Sequence, residues 1–159
     1  GTRYGESLEL SQQDTLVLLV NERYKLPENL YIDQDVFQLA SSNMIAPDIR
    51  VYSTDDTTPT LRVQFYTQEE KPVYDNMDFN WNYKNDTLRF DNYIKLAGQW
   101  RAQRVTLSLY LPENKKVLLP PQTSQYLRNL RDFDWGVRSR LNKDKILLIM
   151  QDGRLQPLM

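Results

Sequence analysis

Cysteine and histidine are both absent from this chain of 159 residues. The chain therefore has no disulfide, no thiol chemistry and no Cys/His zinc site. Without histidine it also cannot carry a Ser-His-Asp triad or a histidine general base. Glycine is scarce, and because Gly98 and Gly153 stand alone, no glycine-rich loop is present to hold a phosphate. These absences exclude several common kinds of enzyme site.

An excess of one charge and a long apolar run are missing as well. The 20 Lys and Arg residues and the 21 Asp and Glu residues leave a formal net charge of −1, whereas nucleic-acid-binding domains usually carry a basic excess. Asp132 and Asp134 interrupt the basic region at residues 128–140, which is typical of a solvated face. We therefore expect no nucleic-acid partner. No stretch approaches the roughly 20 apolar residues that cross a bilayer.

Short apolar runs, rich in β-branched and aromatic residues and separated by polar turns, fill the chain instead. Residues 104–111 alternate most regularly and predict a strand with one apolar face. Residues 15–20 are almost continuously apolar and predict a strand buried on both faces. Further strands are predicted at 30–32, 49–52, 61–66, 87–90, 117–119 and 146–150. The pattern predicts an all-β domain of about eight to ten strands, with at most one or two short helices.

The segments between these runs indicate turns and loops. Residues 53–59 predict a hairpin loop, and residues 112–115 and 152–153 predict tight turns. Residues 69–82 predict a long loop fixed by aromatic side chains. Ser124 is the expected N-cap of a helix over residues 124–130.

The start of the chain shows neither a signal peptide nor an initiating methionine. We expect Gly1 to be a remnant of tag removal. We therefore expect residues 1–159 to be a single all-β domain excised from a longer protein, with any leader or membrane anchor upstream.

Acidic residues offer two candidate sites. Asp55 and Asp56 stand beside hydroxyl side chains, but no EF-hand pattern surrounds them, so a turn is the better interpretation. Asp75, Asp78 and Asp91 would supply paired carboxylates for glycoside hydrolysis if two of them converged. Loops of β proteins commonly hold such residues without any catalytic role. We therefore predict no catalytic residue, no cofactor and no metal.

Aromatic side chains are the remaining candidates for ligand binding. Three tryptophans and three tyrosines would form a glycan or peptide platform if they clustered at the surface: Trp81, Trp100, Trp135, Tyr24, Tyr66 and Tyr93. Large aromatic side chains more often pack the core, because their burial contributes strongly to stability. An exposed aromatic patch of a few hundred Å² would favour binding over packing.

Three segments of the second half resemble a known family. Residues 87–94 read TLRFDNYI, residues 100–105 read WRAQRV, and residues 109–117 read LYLPENKKV. They are similar to the C-terminal extracytoplasmic domain of phage-shock-protein-C-like membrane proteins of Bacteroidetes, most clearly over residues 86–120. The family usually has glycine where Asn114 stands; asparagine also tolerates positive φ. The chain further resembles the β-helical head domains of auto-transporter adhesins.

This resemblance implies both a fold and a function. The fold would consist of stacked antiparallel or β-helix-like sheets. The function would be that of a non-catalytic extracytoplasmic interaction or sensing domain of an envelope-stress membrane protein, at the periplasmic face of the inner membrane. Its partners would be proteins, either itself or other envelope proteins, and it would meet the membrane only through an upstream segment. The alternatives are an adhesin-like or glycan-binding module, and an Asp/Glu-based hydrolase with one raised carboxyl pKa.

Overall fold

A computed structural model describes residues 2–24, 43–68, 77–98, 102–124 and 145–158. These ranges hold thirteen strands and one helix, α1 (Pro121–Ser124), between the eleventh and twelfth strands. The strands are β1 (Thr2–Glu9), β2 (Leu16–Asn21), β3 (Met44–Ile45), β4 (Asp48–Thr54), β5 (Thr60–Thr67), β6 (Met77–Asp78), β7 (Trp81–Lys84), β8 (Thr87–Asp91), β9 (Ile94–Leu96), β10 (Arg104–Pro112), β11 (Lys116–Leu119), β12 (Ile146–Gln151) and β13 (Arg154–Pro157).

The strands form three sheets, which confirms the all-β prediction. The four-stranded sheet has the order β1-β5-β10-β4, the six-stranded sheet β13-β12-β11-β2-β8-β7, and the three-stranded sheet β3-β9-β6. The pairing is mixed rather than purely antiparallel, because β10 runs parallel to β4 and β2 runs parallel to both β8 and β11. Two stretches of the chain, β2-β3-β4 and β8-β9-β10, visit the three sheets in the same order. That repeated course gives the fold its β-helix-like character.

The core lies between the sheets and receives buried apolar side chains from all three. In β10 the side chains of Val105, Leu107, Leu109 and Leu111 are almost completely buried. The predicted two-sided strand, β2, alternates fully buried and half-buried residues and lies between β11 and β8. One face of β2 is fully buried and the other is half-buried, so apolar side chains suit both faces and the sequence is nearly continuously apolar.

Several predicted connections differ from the observed ones. Residues 53–59 are not a hairpin loop, because β10 lies between β4 and β5. As the longest strand with a fully apolar face, β10 pairs along both edges and takes the inner position. Strand β6 falls inside the predicted loop 69–82, β7 begins inside it at Trp81 and continues to Lys84, and β1 was not predicted. Helix α1 begins at Pro121, where proline is favoured as the first helical residue. The helix predicted over residues 124–130 lies, apart from Ser124, outside the described residues. The predicted strand 30–32 lies outside the described residues.

Three tight turns follow the sequence closely. Asn85 and Asp86 both have positive φ, 52° and 57°, between β7 and β8. Asp152 and Gly153 have φ of 55° and 80° between β12 and β13. Positive φ at both central residues matches the right-handed twist of a two-residue hairpin. Asn114 has φ 72°, which confirms that asparagine takes the conformation expected of the family's glycine.

Candidate functional site

The carboxylates of Asp78 and Asp91 do converge, but on an arginine. Arg23 lies just beyond β2, and its Nη1 and Nη2 donate hydrogen bonds to the two carboxylate oxygens of Asp78 at 2.7 and 2.9 Å. Nη1 also lies 3.2 Å from Oδ2 of Asp91. The side chain of Asp91 is only 1% exposed, whereas that of Asp78 is 48% exposed. One guanidinium thus compensates two carboxylates of different burial.

Further hydrogen bonds surround Arg23, Asp78 and Asp91, which together form the Arg23 cluster. The backbone amide of Asn80 donates to Asp91 at 2.7 Å, and Nδ2 of Asn21 donates to it at 3.2 Å. The hydroxyl of Tyr24 donates to Asp78 at 3.2 Å. The hydrogen bonds from Arg23 lower the pKa of Asp78 below its ordinary value.

This geometry gives Asp78 and Asp91 a structural role. An acid catalyst in glycoside hydrolysis needs a raised pKa, whereas the pKa of Asp78 is shifted downward by the cation beside it. The cluster instead fastens the end of β2 in the six-stranded sheet to β6 in the three-stranded sheet. Asp75, the third predicted carboxylate, lies outside the described residues.

A surface cleft of about 540 Å³ lies at the opposite end of β2. Its lining comes from the loop before β2, the bend after β4 and the turn after β10, and it includes Gln12, Gln13, Asp14, Thr57, Glu113 and Lys115. Lys115 is 5% exposed, and its Nζ donates to the backbone oxygens of Ser11, at 2.6 Å, and of Asp14. Burial lowers the pKa of Lys115. The ammonium group therefore ties the loop to the turn.

Tyr83 fixes the same loop from the other side. Its hydroxyl accepts a hydrogen bond from the amide of Ser11 at 3.0 Å and donates one to Asp86 at 3.1 Å. Burial raises the pKa of Tyr83. The loop links β1 to β2, and hence the four-stranded sheet to the six-stranded sheet. The hydrogen bonds of Lys115 and Tyr83 hold it in place.

Asp55 and Asp56 are exposed in the bend between β4 and β5. The amide of Asp56 donates to Oγ1 of Thr54 at 3.2 Å, a short-range bond typical of a turn. Among the described residues, no group of three or more acidic side chains could hold a metal ion.

The predicted aromatic candidates do not form a platform where they are described. Trp81 is half-buried and packs against the core, and Tyr93 is buried. Tyr24 lies beside Arg23 in the Arg23 cluster. Trp100 and Trp135 lie outside the described residues.

A different aromatic surface lies on the outer face of the four-stranded sheet. Tyr52 in β4 and Tyr110 in β10 are register partners. Their rings stack with centroids 5.3 Å apart and planes tilted by 21°. Tyr52 is 39% exposed. At the other end of this face, the guanidinium of Arg104 lies 4.7 Å above the ring of Tyr66.

Arg62 occupies the middle of the outer face. Its register partners are Ser7 in β1 and Ser108 in β10, so short side chains flank it on both sides. Arg62 is exposed, and its guanidinium makes no ion pair or hydrogen bond to any residue that the structure describes. Arg50, one strand beyond Ser108, differs because Asp48 binds its guanidinium at 2.8 Å. Arg62 is therefore available to a partner.

The sequence analysis did not predict this surface, although its residues lie in strands that it did predict. Arg62, Thr106 and Tyr110 are the polar positions of strands that were predicted correctly. They share a face only because β10 lies beside both β4 and β5 in one particular register. No local sequence signal specifies that neighbour.

The comparisons with known proteins give one match. A family model described as "ToastRack found in some PspC" matches residues 31–156. No curated protein and no solved structure matches the chain. Within the described residues, no helix has the length and apolar character needed to cross a bilayer.

Proposed function

The chain belongs to the family of Toast-rack domains found in some PspC proteins, and from this premise we propose that it is a non-catalytic, extracytoplasmic protein-interaction module of an envelope-stress membrane protein. The match covers most of the chain, including the three segments in which the resemblance was noted. A phage-shock-type protein would carry this module on a membrane segment upstream of it.

The outer face of the four-stranded sheet is the observation that carries this proposal. Tyrosine and arginine are enriched in protein interfaces and among the residues that contribute most to binding. Here Tyr52, Tyr110 and Arg62 project from a rigid sheet, and Arg62 has no partner among the described residues. A sheet holds such side chains in place, so little conformational freedom is lost on binding.

The internal polar groups support a non-catalytic role. Asp78 and Asp91 are bound by Arg23, and the ammonium group of Lys115 is bound to backbone carbonyls. These groups connect loops and sheets. They are therefore better suited to holding a scaffold than to exchanging protons with a substrate.

The arrangement of the tyrosines favours a protein over a glycan. Sugars stack on exposed ring faces, whereas Tyr52 and Tyr110 cover one face of each other. The side chain of Tyr52 also hydrogen-bonds with Arg50, and tyrosine combines an apolar ring with a polar hydroxyl, which suits packing against a protein surface. We propose that the partner is a protein of the envelope, either a second copy or another chain.

Photo-crosslinking in living cells tests this function. p-Benzoylphenylalanine replaces Tyr52 in the full-length protein in its native membrane. It replaces Asp56, which is exposed but off the outer face, in the control. We expect a discrete protein adduct from position 52, absent from position 56 and removed by Arg62→Glu at unchanged protein abundance. Equal labelling from both positions, or no protein adduct from position 52, would overturn the proposal.

A further inference from the structure

Two uncompensated cations point outward from the four-stranded sheet. The guanidinium of Arg62 has neither an ion pair nor a hydrogen bond within the described part of the chain. Arg104 contacts the ring of Tyr66 but no described carboxylate. Two acidic side chains share this face: Asp48 is bound to Arg50, and Glu9 of β1 lies diagonally from Arg62 but forms no ion pair with it in the described part of the chain. Both guanidinium groups are thus available to acidic groups of a partner.

The spacing of these two arginines is set by the register. Arg104 pairs with Tyr66, which follows Arg62 by four residues on the same strand. Residues four apart on a strand lie on the same face, about 13 Å from each other. Arg62 and Arg104 are therefore separated by about 13 Å along the strands and by one strand across the sheet.

Between the two arginines the surface carries uncharged polar side chains that are shorter than arginine. Ser108 and Thr106 on β10 and Gln64 on β5 occupy the intervening positions of this face. Beyond Arg62, the stacked pair of Tyr52 and Tyr110 closes one end. The result is a shallow trough parallel to β5 and β10. An extended polypeptide matches it, because its own same-face side chains repeat with the same spacing.

We propose that this trough binds an extended acidic segment of the partner protein, with carboxylates on residues i and i+4 that contact Arg62 and Arg104. This inference rests on the proposed function and names the chemistry of the partner. Arginine pairs with carboxylates through two parallel hydrogen bonds, which fix geometry as well as charge. A bilayer surface is the weaker match, because polybasic membrane-binding segments typically use about four to eight basic residues.

The test measures binding of labelled peptides to the 159-residue chain by fluorescence anisotropy. Three seven-residue threonine-based peptides are compared: one with Glu at positions 2 and 6, one with Glu at positions 2 and 3, and one with Lys at positions 2 and 6. The first is expected to bind most tightly. Arg62→Gln and Arg104→Gln are each expected to weaken it by about two- to fivefold, the range of an exposed ion pair. Arg89→Gln, an exposed strand arginine of the six-stranded sheet, is the matched control and should leave binding unchanged.

Two results would overturn this inference. One is equal binding of the two glutamate peptides, since that would show no dependence on spacing. The other is binding to phosphatidylglycerol vesicles, weakened by the Arg62 and Arg104 variants, without binding of the acidic peptide. Either result combined with a specific protein adduct from position 52 would reject the acidic segment and leave the proposed function standing. Absence of the adduct from position 52 in the protein that keeps Arg62 would reject the proposed function itself.

Discussion

At the scale of single residues, the molecule places its few buried charges where they join chain segments. Asp91 is almost fully buried and receives hydrogen bonds from Asn80, Asn21 and Arg23. A carboxylate removed from water is tolerated only with such partners. Lys115 is the cationic counterpart, bound to two backbone carbonyls at the opposite end of β2.

The two carboxylates bound by Arg23 are expected to differ strongly in their contribution to stability. Asp91→Ala removes a buried acceptor. The backbone amide of Asn80 and Nη1 of Arg23 then lose the hydrogen bonds that they donate to it. We expect it to lower the free energy of unfolding by about 2–4 kcal/mol. Asp78→Ala removes an exposed partner of the same arginine and should cost less than about 1 kcal/mol. Urea denaturation of both variants measures the difference, and equal losses would show that burial does not decide it.

Lys115 predicts a particular dependence of stability on pH. Burial lowers its folded-state pKa below 10.5. Between the folded and the unfolded pKa the unfolded chain therefore binds more protons, so stability rises with pH in that window. We expect the free energy of unfolding of the wild type, relative to Lys115→Met, to increase as the pH approaches 10.5 from below.

Lys116→Met removes an exposed lysine at the next position and controls for the loss of charge. Denaturation at several pH values follows both variants against the wild type. The account of Lys115 fails if its difference from the wild type is flat across this range or falls as the pH rises.

At the scale of elements, helix α1 supplies hydrogen bonds to the edge of β2 beyond the point where β11 ends. β11 pairs with β2 only at Leu16 and Val17, and the chain then turns into α1. There the hydroxyl of Thr123 donates to the carbonyl of Leu18 at 2.7 Å and accepts from the amide of Val20 at 3.1 Å. The helix thereby satisfies backbone groups of β2 beyond the end of β11.

Removing this hydroxyl should therefore destabilise the edge between α1 and β2. Thr123→Val keeps the shape but leaves two buried backbone groups without their partner. We expect a loss of about 2 kcal/mol in the free energy of unfolding, together with faster hydrogen exchange at the amide of Val20. Thr106→Val, on the outer face of β10, is the control and should change stability by less than about 0.5 kcal/mol. Unchanged exchange at Val20 would contradict this role of the helix.

Individual strands and turns could be predicted from the sequence, whereas the pairing of distant strands could not. Alternation in β5 and β10 and the positive-φ residues of the hairpin turns are local signals, and the strands and turns that they predict are observed. The pairing of β10 with β4 rather than β4 with β5 depends on which distant strand competes best for an edge. Strand β7 carries Asn82 and Lys84 on its exposed side, so its sequence resembled a loop. The residues that share the outer face of the four-stranded sheet depend on which strands pair. They could therefore not be predicted until that pairing was known.

At the scale of the whole molecule, buried and exposed polar groups have separate roles. The Arg23 cluster and Lys115 connect the sheets, and the outer face of the four-stranded sheet presents Tyr52, Tyr110 and Arg62 to the surroundings. A scaffold whose internal charges are compensated can carry a binding face without rearranging, which favours rigid docking. We propose that this face, rather than an internal site, is the surface through which the domain contacts its protein partner.

A transcriptional reporter of envelope stress, read in cells that carry the full-length protein as its sole copy, tests that claim most directly. Arg62→Glu reverses the charge at the centre of the outer face, and Arg89→Glu makes the same change on the six-stranded sheet. Both side chains are exposed, so each variant should keep its stability within about 0.5 kcal/mol. The account predicts that Arg62→Glu alters the stress response at unchanged protein abundance, whereas Arg89→Glu does not. A response identical to wild type in both variants would contradict it.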